Sequence, residues 1–388
     1  MSYSSSEHIL EKLVGFPTVS RDSNLELIAY IRDYLADYGV DAELIPGEKE
    51  DKANLHARIG PDMPGGIMLS GHTDVVPIDG QQWNYDAFCM THESGRLFGR
   101  GTTDMKGFIS CVLAMVPEAV KRSLERPIHL AFSYDEEIGC IGVRRMLDLF
   151  EGAPLRPDFC IVGEPTGMQV GIAHKGKLAA TCTCTGVEAH SALPDKGLNA
   201  IHLATEMVQS MRGIQERLRH HGTQDHHYEV PWTTIHVGTI EGGTALNIIP
   251  RECRFQFEIR NLQGDEPSDL LQEIRAIGDG IVGQYHGIFP QAAISISVDN
   301  HYPSLDTRPE EAVVKLVQGV LQTDDFIKLA FGTEGGLFQQ RLGVPTVICG
   351  PGSMDQGHKP DEFITRDQMA RCDDFLGKLL DQVSNSRP

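Results

Sequence analysis

Five short segments place acidic and imidazole side chains directly after apolar, strand-like runs. They are MLSGHTDV with His72 and Asp74, GRGTTDMKG with Asp104, FSYDEEIG with Glu136 and Glu137, IVGEP with Glu164, and CGPGSMDQGHKPDE with His358. In open α/β sheets, ligands gather at the carboxyl ends of the strands, so the five segments can converge on one cleft. Carboxylates alone in such a cleft would repel one another and need a compensating cation. Mixed imidazole and carboxylate donors suit borderline divalent metals, zinc above all, with cobalt and manganese also accepted. Two histidines and three carboxylates complete two four-coordinate sites, if one carboxylate and one water are shared. Two carboxylates are then left over. Asp74, two residues after His72, is placed to orient its imidazole. Glu136, beside Glu137, is free to serve as a general base.

The same residues have plainer uses. Asp104 precedes Met105-Lys106-Gly107, where an aspartate commonly caps a helix, and that role is compatible with metal ligation. Gly99-Arg100-Gly101 begins like a nucleotide-binding glycine loop. Asp104 stands where the third glycine belongs, and no acidic ribose partner follows about 20 positions on, so that reading is rejected. His220-His221 and His226-His227 lie in a polar stretch without an apolar frame and read as a solvated loop.

The elements that must position these groups alternate between helix and strand. Residues 24–38 carry apolar side chains at helical spacing, and Gly39 follows as a stop. Strands are predicted over 54–59, 66–70, 127–134 and 159–162, with helices over 105–120 and 138–150. The texture changes after Lys177. An alternating strand over 178–185 is followed by a helix over 199–218, strands over 233–240 and 252–259, a helix over 267–283 and a strand over 293–298. The order β-α-β-β-α-β is that of a ferredoxin-like sandwich. The expected fold is therefore α/β: a catalytic domain with a mixed, mostly parallel sheet flanked by helices, and an inserted α+β lid. The boundaries read as 1–177 and 301–388 for the catalytic domain and 178–300 for the insert.

Taken together and in order, GHTDVVP, GRGTTDMKG, YDEEIG, VGEP and GHKPDE resemble the M20 family of metallo-aminoacylases and peptidases, over nearly the whole chain. The resemblance implies two zinc ions, with His72 and Glu164 as terminal ligands of one, Glu137 and His358 of the other, and Asp104 bridging. It implies that His190, in GVEAHSALPDKG, reaches across a homodimer joined through the lid to stabilise an oxyanion. Asn247, in GGTALNIIP, and Arg260, in FEIRN, would hold the carboxylate side of a substrate. FGTEGGLFQ and VICGPGSMDQGHKPDE narrow the resemblance to members that deacetylate an amino acid with a free side-chain ammonium, which Glu334 could meet. The expected activity is hydrolysis of a linear amide in a small N-acyl amino acid. A desuccinylase or dipeptidase on the same scaffold is the alternative enzyme. A metal-binding protein without catalysis is the alternative from another class, and an unligated Glu136 argues against it.

Bulk composition agrees with a two-domain chain of 388 residues. With 34 basic against 54 acidic residues, the net charge of −20 disfavours nucleic acid and anionic membranes as partners. No secretory signal is visible and no stretch approaches the ~20 apolar residues of a membrane span. The nine cysteines are scattered, and Cys182 and Cys184 read as one face of a strand. Reduced thiols in a cytoplasmic enzyme are the expectation.

Overall fold

The computed structural model describes residues 5–152 and 156–384. It comprises two compact units. The first runs up to Ala173 and resumes with Leu305–Leu329 and again from Thr333; the second is His174–Ser304 with Ala330–Gly332.

The first unit is built on a mixed sheet whose centre is parallel. Ile128–Ser133, Ile67–His72, Phe159–Pro165 and Thr346–Gly350 lie side by side in that order, all pointing the same way. Ile67–His72 and Ile128–Ser133 are buried at every position, as expected for strands covered on both faces. Ala53–Ile59 and Ala42–Pro46 extend the sheet antiparallel on one side. Lys106–Ala119, a helix almost wholly buried, packs against both Ser5–Val14 and Arg366–Val383.

The second unit is a four-stranded antiparallel sheet ordered Thr234–Gly242, Glu252–Asn261, Gly176–Thr185, Ala293–Tyr302. Along Gly176–Thr185, buried and half-buried residues alternate strictly, so Leu178, Ala180, Cys182 and Cys184 form one inward row. That row meets Met207 and Met211 of the helix Ala200–His221 and Ile274 of Pro267–Gly283 in a single core. Asn199 caps the first of these helices by accepting from the amides of Ile201 and His202. The strand order is the ferredoxin-like one. The last strand pairs with Gly176–Thr185 beyond a bulge at Val298/Asn300, so it runs to Tyr302, past the residue 298 read from alternation alone.

Two local expectations are corrected. The helix anticipated from residue 138 begins only at Val143, because Gly139 and Cys140 take positive φ of 120° and 55°. His220 and His221 are the last residues of a helix rather than part of a loop, which places imidazoles at its negative end.

Candidate metal centre

The four parallel strands deliver the chemistry in a row. His72 ends Ile67–His72, Glu136 and Glu137 follow Ile128–Ser133, Glu164 lies at the end of Phe159–Pro165, and His358 follows Thr346–Gly350. Asp104 arrives from the other side, just before the helix Lys106–Ala119. Its carboxylate makes no cap bond, since Met105 holds the cap position without one. Gly163 shows how tightly these strand ends are packed: a Cβ there would lie 2.0 Å from the Phe108 ring.

Asp104 stands between the two histidines. His72 Nε2 lies 3.0 Å from Asp104 Oδ1 and 3.5 Å from Glu164 Oε1. His358 Nε2 lies 3.1 Å from Asp104 Oδ2 and 3.0 Å from Glu137 Oε2. These are two triads that share one carboxylate, each oxygen serving one side. Tetrahedral coordination with bonds of about 2.0–2.1 Å separates ligand atoms by roughly 3.3 Å, which the imidazole–carboxylate distances match; donor atoms of His72, Glu136 and Glu164, and of His72, Asp104 and Glu137, gather within 4.8 Å of one another. Glu136 is also close, its oxygen lying within 4.8 Å of donor atoms of His72 and Glu164.

The electrostatics support the same fit. Burial pushes the Glu136, Glu137 and Glu164 carboxyls up, Glu137 to about 7, and their neighbouring carboxylates add to the shift. Burial opposes a charge on His72, but contacts with the Asp104 and Asp74 carboxylates outweigh it and raise the imidazole. Hydrogen bonds to Asp104 and Glu137 raise His358 to about 10. As protein alone, the cluster balances its carboxylates with protons. Divalent cations would do so with every donor in its ligating form.

The supporting contacts differ from expectation in one respect. The imidazole Nδ1 of His72 faces the backbone carbonyl of Asp74 at 2.9 Å, whereas the Asp74 carboxylate is 3.6 Å away, too far for a hydrogen bond. Donation to that carbonyl makes Nε2 the nitrogen that would ligate once an ion replaces its proton toward Asp104 and Glu164. The Asp74 carboxylate instead accepts from Ser20 Oγ at 2.6 Å, Glu136 N at 3.1 Å and Glu137 N at 3.3 Å. It therefore fixes the turn that carries both glutamates. Cys140 Sγ donates to Glu136 Oε1 at 3.4 Å, a contact that sequence spacing did not suggest.

Glu334 lies inside the fold. It is 1% exposed, and its oxygens accept from the hydroxyls of Ser133 and, at 3.3 Å, Ser70. Both serines lie on the central strands, so Glu334 sits beneath the cluster with internal partners, and burial raises its carboxyl to about 7. Arg100 and Glu362 were also missed as a pair. They are both 1% exposed, joined by a 2.7 Å ion pair, and Glu362 stood unassigned inside GHKPDE.

In the second unit, His190 and Asn247 are exposed and adjacent. His190 pairs with Ile248 in a two-residue ladder, and Ser191 N donates to the Asn247 carbonyl at 3.0 Å. The Arg260 guanidinium is engaged from both sides, by Glu258 at 3.1 Å and by the Tyr302 hydroxyl at 2.9 Å.

A parallel sheet whose carboxyl ends gather two histidines and a shared aspartate defines a metallohydrolase scaffold. Residues 68–382 match Peptidase family M20/M25/M40, and the chain belongs to that family. It is 32% identical over 380 residues to the acetylornithine deacetylase of Pasteurella multocida (strain Pm70), covering 95% of this chain and 96% of the relative. The M20 family metallo-carboxypeptidase Sso-CP2 from Sulfolobus solfataricus shares the fold, with a TM-score of 0.80 at 18% identity over 97% of this chain and 99% of that one. So does Bacillus subtilis YXEP, described as a dinuclear metal binding peptidase, with a TM-score of 0.68 at 14% identity over 98% and 97% of the two chains. Among the described residues no helix is long and apolar enough to cross a membrane.

Proposed function

We propose that the protein is a metal-dependent deacetylase that hydrolyses N-acetylornithine to ornithine and acetate, a step toward arginine. The observation that carries the reaction class is the shared Asp104, with one histidine and one glutamate on each side. The substrate rests on the identity to the Pasteurella multocida relative over nearly both full lengths.

His72, Asp104 and Glu164 would hold one ion, and His358, Asp104 and Glu137 the other. Zinc suits the donor set best and cobalt would also be accepted. Such a pair, when bound, supplies Lewis acidity toward a carbonyl oxygen and lowers the pKa of water. Glu136 is the proton carrier: it takes a proton from the attacking water and delivers it to the leaving amine nitrogen. Its place on a turn pinned by Asp74 keeps that carboxyl at the edge of the cluster. In the metal-free protein, burial and neighbouring carboxylates push its carboxyl up. In the second unit we assign His190 as donor to the developing oxyanion and Asn247 and Arg260 as contacts for the substrate carboxylate, in a homodimer. A cytoplasmic setting is supported by nine free cysteines.

The test is amine release from N-acetylornithine, N-succinyl-diaminopimelate and dipeptides, with and without chelator. N-acetylornithine should give the highest kcat/KM, and chelation should abolish turnover until zinc or cobalt is returned. A higher kcat/KM for another substrate overturns the specificity, and chelator-insensitive hydrolysis overturns the metal centre.

A further inference from the structure

His358 is the least enclosed donor, with its side chain 46% exposed, and the loop that carries it is held in an unfavourable backbone conformation. His358 and Asp361 have φ of 60° and 55°, in the left-handed region that non-glycine residues rarely occupy. Something must fix this loop if the imidazole is to stay 3.1 Å from Asp104.

Glu362 is the candidate the contacts single out. Its Oε1 accepts from the backbone amides of Thr103 at 2.9 Å and Asp104 at 3.1 Å. Its Oε2 accepts from the amide of Gly101 at 3.1 Å and from Arg100 Nη1 at 2.7 Å. One side chain from the His358 loop thus ties down three amides of the segment that ends in Asp104. Arg100 closes the ring from the other direction. Its Nη2 donates to Gln81 Oε1 at 2.7 Å, and Gln81 Nε2 donates to the backbone carbonyl of His358 at 3.0 Å. Asp361, between them, accepts from Asn84 N at 2.8 Å and Asn84 Nδ2 at 2.6 Å.

We propose that Glu362, locked by Arg100, is the positioning residue that sets the spacing between His358 and Asp104. Through it the bridging carboxylate and the exposed histidine form one rigid unit. Gln81 is the second tether of that unit, acting on the His358 backbone. Glu362 itself touches none of the donor atoms named above. Asp104 belongs to both triads, so the clamp bears on both, and most on the His358–Asp104–Glu137 triad, of which it holds two members. This inference rests on the metal centre proposed above.

The experiment is zinc and cobalt titration of the full-length wild type, Glu362→Gln and Gln81→Leu, with ions counted after desalting and thermal melts of the metal-free forms. Wild type should retain two ions. Glu362→Gln keeps the volume but turns one acceptor into a donor facing backbone amides, so it should bind the ion of the His358 triad about 10–100-fold more weakly and the other ion with a smaller loss. Gln81→Leu leaves the buried pair intact and should weaken the same ion by a smaller factor, which keeps the test informative if Glu362→Gln does not fold. A lower melting temperature with both ions bound as in wild type overturns the proposal, because a merely structural residue would behave so. Equal loss of both ions overturns it too, since the clamp holds two members of one triad and only Asp104 of the other. A wild type that retains no metal removes the metal centre itself and the clamp with it.

Discussion

Replacing Asp74 with asparagine separates two accounts of what its carboxylate does. If it orients His72, the substitution should weaken metal binding by about 10–100-fold, the usual effect of losing an outer partner of a ligating histidine. The structure gives that task to the Asp74 backbone carbonyl, 2.9 Å from Nδ1, which the substitution leaves in place. The carboxylate holds Ser20 Oγ, Glu136 N and Glu137 N, and it is 2% exposed. Asparagine preserves one accepting oxygen, and Ser20 can reverse its hydroxyl to meet the new NH2. One backbone amide is then left facing a donor, at a cost of about 1–3 kcal/mol in stability. Alanine would strand all three donors and cost more. Loosening the turn by ~1 Å displaces Glu136 by a similar distance, for which about a 10²-fold fall in kcat is the expected scale. Asp74→Asn should therefore retain both ions, melt somewhat lower, and turn over about 10²-fold more slowly. The assays are metal content after desalting, denaturant unfolding of the metal-free protein, and kcat at saturating metal. Loss of metal affinity with wild-type kcat in the metal-saturated enzyme would refute the assignment.

Glu136→Gln should abolish measurable turnover while two ions stay bound; loss of an ion would move Glu136 into the ligand set, where its distance from His72 and Glu164 would allow it. Buried His129 and half-buried His56 form a pair on neighbouring strands, with His56 Nε2 3.2 Å from His129 Nδ1 and His129 Nε2 3.1 Å from the Gly65 carbonyl. Burial lowers both imidazoles to about 4, so between pH 6.5 and 4 the unfolded chain binds more protons than the folded one. Stability should then fall with acidification across that window, by up to ~3 kcal/mol for each imidazole before allowing for solvent screening of the partly exposed His56. The measurement is denaturant unfolding from pH 7.5 to 4.5 against a His56→Asn/His129→Asn double variant, in which the extra slope should vanish; equal slopes would refute it.

How much of this was legible in the sequence depended on whether the information was local. The ferredoxin-like unit was readable because each element carries its own period, as in the strict alternation of Gly176–Thr185 and the capped amphipathic helix after Asn199. The turn after Ser133 was not. Its apolar residues from Ile138 onward mimic a helical face, yet Asp135 and Cys140 at φ of 55° break the helix. That conformation is maintained by Asp74, 62 residues earlier in the case of the Glu136 amide, and no window of sequence contains that contact. The surroundings of Glu334 were hidden for a related reason. A carboxylate beside two glycines looks free to meet a substrate, and only the strand order brings Ser70 and Ser133 against it.

The candidate ligands could be proposed from sequence because ligation restricts residue type, while the groups that would aim them could not, because aiming is done largely through backbone atoms. Asp74 and Glu362 illustrate the rule from opposite sides of the cluster. Each is a buried carboxylate that accepts from amides of a ligand-bearing loop, Asp74 from those of Glu136 and Glu137, Glu362 from those of Gly101, Thr103 and Asp104. An acceptor of backbone N–H groups places no demand on the side chains it holds, so its partners leave no signature in composition or spacing. The demand falls on the acceptor: a buried carboxylate is costly, and several amide donors relieve that cost, joined at Glu362 by the Arg100 guanidinium. An acidic residue inside a ligand motif but surplus to the ligand count is thus a candidate for anchoring the loop itself. By that criterion Asp74 and Glu362 belong together, although only Asp74 stands next to a histidine.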